Sequence, residues 1–245
     1  DSSSSRGLGD VYKRQTQDQE NAYEEIFNDI SCETPMLRLL QGDVGSGKTI
    51  VAALIASSIV ADNKQVAILA PTTILANQHY QNFVQWFGYD DEIELLTSKI
   101  AAKEKRQIYQ KIQSGKTKII IGTHAVFQKD VVYKNLSLVI YDEQHRFGVS
   151  QRLKLKEKSE NFPHQLLLSA TPIPRTMAMG VLSGLDVSTI KSLPPNRKPI
   201  VTSTLPNKRR GALISRIKSA ISEGAQVYWV CPLIDESETE LIGIE

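Results

Sequence analysis

The sequence predicts a doubly wound parallel α/β sheet with helices on both faces, and three observations lead there. Short apolar, β-branched runs recur along the chain with helical segments between them. Two of these runs, residues 118–121 and 138–141, show no polar alternation, as strands covered on both faces require. An octet, Gly42-Asp43-Val44-Gly45-Ser46-Gly47-Lys48-Thr49, lies between an apolar run at 36–40 and an apolar helix at 50–61. That is the strand–loop–helix context of a phosphate-binding loop.

The elements follow in order. Residues 1–15 are serine-rich, then basic, and lack periodicity, so they read as a tail or a non-native leader. Thr16 and Gln19 form a T-x-x-Q capping box, and Ala22, Tyr23, Ile26, Phe27 and Ile30 make one apolar helical face. After the octet, residues 65–70 form a β-rich run closed by Pro71. A helix at 75–87 is expected to bury Leu75, Ala76, Phe83 and Phe87. A short strand at 93–96, a polar helix at 103–112 and strands at 118–121, 138–141 and 165–169 come next. Pro174 then opens a helix that Gly184 ends.

Residues 193–199 hold three prolines in seven positions and cannot continue a helix or a central strand. The expected domains are therefore 16–192, a linker at 193–199, and a second α/β unit at 200–245. In that unit, 200–205, a helix near 208–223 and a strand at 226–231 leave too few strands to close a sheet, so the chain looks truncated. No internal repeat is evident.

Composition sets the outer bounds. The chain has 245 residues, 41% hydrophobic, with a formal net charge of +2. Bulk charge neither demands nor excludes a polyanionic partner, so any nucleic-acid site must be local. Cys32 and Cys231 match no metal spacing and suit a reducing compartment. With no apolar stretch of membrane-span length and no secretory signal, a soluble cytoplasmic protein is expected.

The octet carries the chemistry. Gly42, Gly45 and Gly47 let the backbone curl so that its N–H groups line a concave anion site. Lys48 is expected to reach the β- and γ-phosphates of a nucleoside triphosphate, and the Thr49 hydroxyl to hold Mg²⁺. The second half of the site is Asp142-Glu143 at the end of an apolar strand, expected beside the phosphate-loop strand. Asp142 would anchor Mg²⁺ and Glu143 would polarise the attacking water. No arginine is placed by spacing as the finger that neutralises transition-state charge. Arg146 and Arg175 are candidate couplers.

The order of motifs resembles superfamily 2 helicases and translocases: Gly42–Thr49, Ala70-Pro71-Thr72, Gly122-Thr123-His124, Asp142-Glu143-Gln144-His145 and Ser169-Ala170-Thr171. Three stretches, 41–49, 142–149 and 171–176, are similar to the RecG family of bacterial ATP-dependent DNA helicases. The similarity runs from about residue 16 to 237. The resemblance implies a RecA-like first unit and the start of a second, ATP and Mg²⁺ as cofactors, and branched or forked DNA as partner in repair and recombination. A monomer is expected. It also assigns roles by position. Gln19 matches the residue that reads the adenine edge, although Lys13-Arg14-Gln15 replace the aromatic and leucine that usually precede it. Gln144 and His145 match γ-phosphate sensors. Pro71, Thr72, Gly122, Thr123 and His124 match contacts to the DNA backbone. Ser169 and Thr171, with Arg175, match the link between hydrolysis and movement. Thr72 and Thr123 also have an ordinary reading as turn and cap residues, while His79 and His164 match no motif and read as surface or satisfied structural histidines. Three other readings stay open: the motor of a transcription-repair coupling factor, a small-molecule kinase or nucleotide switch, and an inactive fragment.

Overall fold

The computed structural model describes residues 15–32, 34–88, 91–142, 162–171, 184–192 and 200–230. The expected leader up to residue 14, the helix from Pro174, the linker at 193–199 and Cys231 lie outside them. The chain divides into two compact units between residues 197 and 198.

In the first unit, helix α1 (Gln17–Ile30) starts at the capping box: the Thr16 hydroxyl accepts from Gln19 N–H, and Gln19 Oε1 accepts from Thr16 N–H. The chain then alternates through β1 (Leu37–Gly42), α2 (Lys48–Ala61), β2 (Gln65–Leu69), α3 (Thr73–Phe87), β3 (Ile93–Leu96), α4 (Ala102–Ser114), β4 (Ile119–Gly122), β5 (Leu136–Asp142), β6 (His164–Ser169) and β7 (Asp186–Ile190). These seven strands form one sheet in the order β3-β4-β2-β5-β6-β1-β7, every pair parallel. All their C-terminal ends therefore lie along one edge, where ligands bind in folds of this kind.

The uniform apolar runs have a direct cause. Alternate residues of each inner strand enter opposite cores. Leu40, Ile68, Ile119, Ile121, Leu138, Ile140, Leu166 and Leu168 pack with α1, α2 and the Phe83–Phe87 face of α3. Leu39, Ala67, Leu69, Ile120, Val139, Tyr141 and Leu167 pack on the other face with Ile108 and Ile112 of α4 and the short 3-10 turn His124–Phe127. Helix α2 is apolar nearly all round and buries Val51 to Ala56 and Ile59, as a helix pressed between sheet and α1 must.

One buried polar residue fastens the other end of the sheet. Gln65 is 1% exposed, and its Nε2 donates to the carbonyls of Ile112 and Thr117. Its Oε1 accepts from the backbone N–H groups of Lys134 and Asn135. All its hydrogen-bonding capacity goes to joining β2 with the ends of α4 and the segment before β5.

The structure corrects four expectations. Strand β7 was not foreseen: it is an edge strand beside β1, and its alternating burial leaves it without an apolar run. Leu75 is only half-buried; the face that α3 buries is Ala76, His79, Phe83 and Phe87. In the second unit, the helix forms as α5 (Arg210–Ser222) after a 3-10 turn, Asn207–Arg209, but residues 200–206 and 226–230 take no regular structure. A strand exists only by pairing, and no described residue pairs with 226–230. The fourth correction concerns the site.

Candidate nucleotide-binding site

Between β1 and α2 the backbone turns through two left-handed glycines, Gly45 (φ 76°) and Gly47 (φ 92°). Gly47 is the N-cap of α2. A methyl group there would suffer doubly, since left-handed backbone is strained for any L side chain and its Cβ would sit 2.1 Å from Gln19 Nε2. The loop is held at several points. Ser46 N–H donates to Asp43 O at 3.1 Å, Val44 N–H to Asp43 Oδ1 at 2.8 Å, and Gln19 Nε2 to Ser46 O at 2.7 Å. The Lys48 ammonium lies across the mouth, donating to the carbonyls of Gly42 (2.8 Å) and Asp43 (3.0 Å). Thr49 follows in the first turn of α2, partly exposed.

Gln19 is 3% exposed, and both ends of its amide are engaged, one by Thr16 and one by Ser46. In this arrangement the side chain braces the glycine-rich loop through Ser46 O and does not present a free edge to a base.

Asp142 ends β5 on the same sheet edge, but β5 does not neighbour β1. Strand β6 lies between them, with Leu168 in register with Asp142 and Ser169 with Gln41. The expected adjacency is therefore wrong by one strand, a separation of roughly 10 Å at ordinary strand spacing. The intervening position is filled by a motif residue: Ser169, 2% exposed, whose Oγ lies 3.0 Å from Thr171 Oγ1 and accepts from Thr171 N–H at 3.2 Å. Three strand ends, β1, β6 and β5, thus bring the loop, Ser169 with Thr171, and Asp142 to one edge.

The other motif residues sit further along that edge. Pro71 and Thr72 follow β2, and the Thr72 hydroxyl caps α3 by accepting from Leu75 N–H at 3.3 Å. Gly122 ends β4, where a Cβ would lie 2.1 Å from Leu96 O, so only glycine fits. Thr123 precedes the 3-10 turn without a side-chain cap bond, and His124 is exposed. Glu143, Gln144, His145, Arg146 and Arg175 lie outside the described residues.

Sequence reasoning missed a side-chain partner of Asp142. His79 Nε2 is 2.8 Å from Asp142 Oδ2, with both side chains largely buried. The signal was present, because His79 falls on the same helical face as Ala76, Phe83 and Phe87. A polar side chain at a core position needs a polar partner. His164, by contrast, is structural: its Nδ1 accepts from Met36 N–H at 3.1 Å, joining β6 to the start of β1.

The described helices include none long and apolar enough to cross a membrane, and no described cluster of His, Cys, Asp and Glu is built to hold a metal. Comparison with known families then decides the lineage: the DEAD/DEAH box helicase model matches residues 16–179. The chain belongs to the DEAD/DEAH box helicase family. Within that family it is similar to ATP-dependent DNA helicase RecG of Haemophilus influenzae, 50% identical over 228 residues covering 91% of this chain and 33% of the relative. RecG of Escherichia coli K12 is 51% identical over 219 residues, covering 87% and 32%. The chain thus spans about one-third of the length of these relatives. A solved structure of RecG bound to a three-way DNA junction superposes with a TM-score of 0.77 at 40% identity, covering 86% of this chain and 28% of that one. The Pyrococcus furiosus Hef helicase domain, 21% identical with a TM-score of 0.59, shares the fold. The RecG resemblance read from the motifs is borne out.

Proposed function

We propose that this helicase-family chain supplies the ATP-binding core of a RecG-type motor that couples ATP hydrolysis to movement on branched DNA. The observation that carries this reading is the convergence of the phosphate loop, Ser169 with Thr171, and Asp142 on one edge of a parallel sheet in a chain half identical to RecG. Residues 16–192 form the nucleotide-binding unit, and 200–245 begin a second RecA-like unit beyond a linker at 193–199.

In this reading the N–H groups of the loop and the Lys48 ammonium bind the triphosphate tail. The oxygens of Thr49 and Asp142 are hard donors of the kind Mg²⁺ prefers, and both lie on the sheet edge that carries the loop. When bound, the cation spreads the charge that develops on the phosphoryl oxygens. Glu143 orients the attacking water, while Gln144, His145 and Arg175 report the phosphate state to the DNA-facing loops. Pro71, Thr72, Gly122, Thr123 and His124 grip backbone phosphates, a sequence-independent contact that suits movement along any DNA. ATP and Mg²⁺ are the cofactors, DNA the partner, the cytoplasm the compartment and a monomer the working form.

The test has two parts. A fluorescent ATP analogue titrated into the 245-residue chain should bind saturably, and Lys48→Ala should abolish most of that binding. A chimera in which residues 16–230 replace the matching segment of E. coli RecG should hydrolyse ATP faster when three-way junction DNA is added. Equal rates with and without DNA, beside an active parental control, would refute the motor reading.

A further inference from the structure

Burying an imidazole on the apolar face of α3 costs stability unless something else is gained. Leucine would fill the position between Ala76 and Phe83 without polar atoms. The packing does not fully accommodate His79 either: its Nδ1 is buried with no hydrogen-bond partner among the described residues. What the side chain gains is a single short contact, Nε2 to Asp142 Oδ2 at 2.8 Å. An ionised carboxylate only accepts, so in this contact Nε2 is the donor. Helix α3 is held by Ala76, Phe83 and Phe87 in the core, with Phe83 and Phe87 stacked at 5.6 Å. The imidazole therefore projects from a rigid element and approaches Asp142 from the helix layer.

We propose that His79 is a positioning residue for Asp142: it holds Oδ2 and so orients the carboxylate, leaving Oδ1 as the oxygen offered to a nucleotide-borne divalent cation. This rests on the reading of Asp142 as the cation ligand. A partner that fixes the orientation of a ligating carboxylate typically changes metal affinity 10–100-fold when removed. The N-cap of the same helix is Thr72, two turns and ~10 Å before His79 at 1.5 Å per residue. Orientation of Asp142 is thereby tied mechanically to the loop after β2.

The experiment uses the 245-residue chain and a fluorescent ATP analogue, with affinity measured in Mg²⁺ and again in EDTA. The ratio of the two affinities is the readout, because a general structural fault lowers both together. H79L should reduce the ratio about tenfold with little change in EDTA, and H79Q, whose amide reaches to the same place, should restore most of it. In a D142A background H79L should have no further effect, since the two act as one unit. An unchanged ratio in H79L, an equal loss in EDTA, or a further loss in the D142A background would overturn the proposal. If H79L melts too low to measure, H79Q and H79N carry the test: the longer amide should keep the ratio and the shorter lose it, and equal ratios would overturn the proposal. No saturable binding by the wild-type chain would instead overturn the nucleotide reading beneath it.

Discussion

Two apolar stretches of similar composition meet opposite fates. Residues 65–69, Gln-Val-Ala-Ile-Leu, form β2 and are buried at every position between β4 and β5. Residues 227–230, Val-Tyr-Trp-Val, have at least as much β-propensity but take no regular structure, with Tyr228 90% and Val230 88% exposed. Helix α5 of that unit forms but buries nothing. Among its described residues, Arg210 lies over the Trp229 ring at 5.9 Å. Helices close their hydrogen bonds within themselves, whereas strands borrow theirs, so a shortage of neighbours erases strands first.

The largest expected effect tests that contrast directly. Ile140→Ala, in a β5 position with no exposure, should cost about 2–5 kcal/mol in urea denaturation, while Val230→Ala should stay within about 0.5 kcal/mol. Comparable costs at the two positions would show that residues 226–230 are packed after all. Next in size, Gln65→Leu should cost at least about 1–3 kcal/mol, since it takes the acceptor from two backbone N–H groups and the donor from two carbonyls, of which only that of Ile112 keeps another bond, to Gly115 N–H. Gly47→Ala should cost roughly 1–2 kcal/mol through its left-handed backbone and should also disturb the Gln19–Ser46 contact. Loss of nucleotide binding larger than the loss of stability would separate the two effects.

The smallest effect is a pH dependence confined to the first unit. Burial, together with the Lys64 charge, holds His164 below the ordinary histidine value of 6.5, and its Nδ1 must stay unprotonated to accept from Met36. Below 6.5 the unfolded chain therefore binds more protons than the folded one, and stability falls as pH drops through the lowered folded value. Melting of the sheet unit should be flat above about pH 7 and decline on acidification, less so in H164Q. A wild-type decline matched fully by the variant would assign the effect elsewhere.

How much of this was legible depends on whether a feature is local. The glycine-rich turn between β1 and α2, the capping box and the strands at 93–96, 118–121, 138–141 and 165–169 were readable because each is written in consecutive residues. Strand β7 was not, because an edge strand needs only Ser188 and Ile190 buried and shows no run. The insertion of β6 between β1 and β5 was not, since β6 pairs on one side with β1, more than a hundred residues earlier, and no local pattern states strand order. His79 was legible in principle as a polar residue on a core face. Its partner, 63 positions away, was not.

Helix α1 has a consequence beyond its packing. Two neighbouring side chains in its first turn reach segments far apart in the unit's sequence. Gln19 clasps the carbonyl of Ser46, while the Asp18 carboxylate takes the backbone N–H groups of Lys191 and Ser192 and the Ser192 hydroxyl. These contacts hold the Asp18 carboxyl below its usual range. Lys191 is 173 positions further along the chain and stands just before the proline-rich stretch. One short helical turn is thus a crossbar between the glycine-rich loop and the exit of the unit. Tilting that bar must break or stretch bonds at both attachments together.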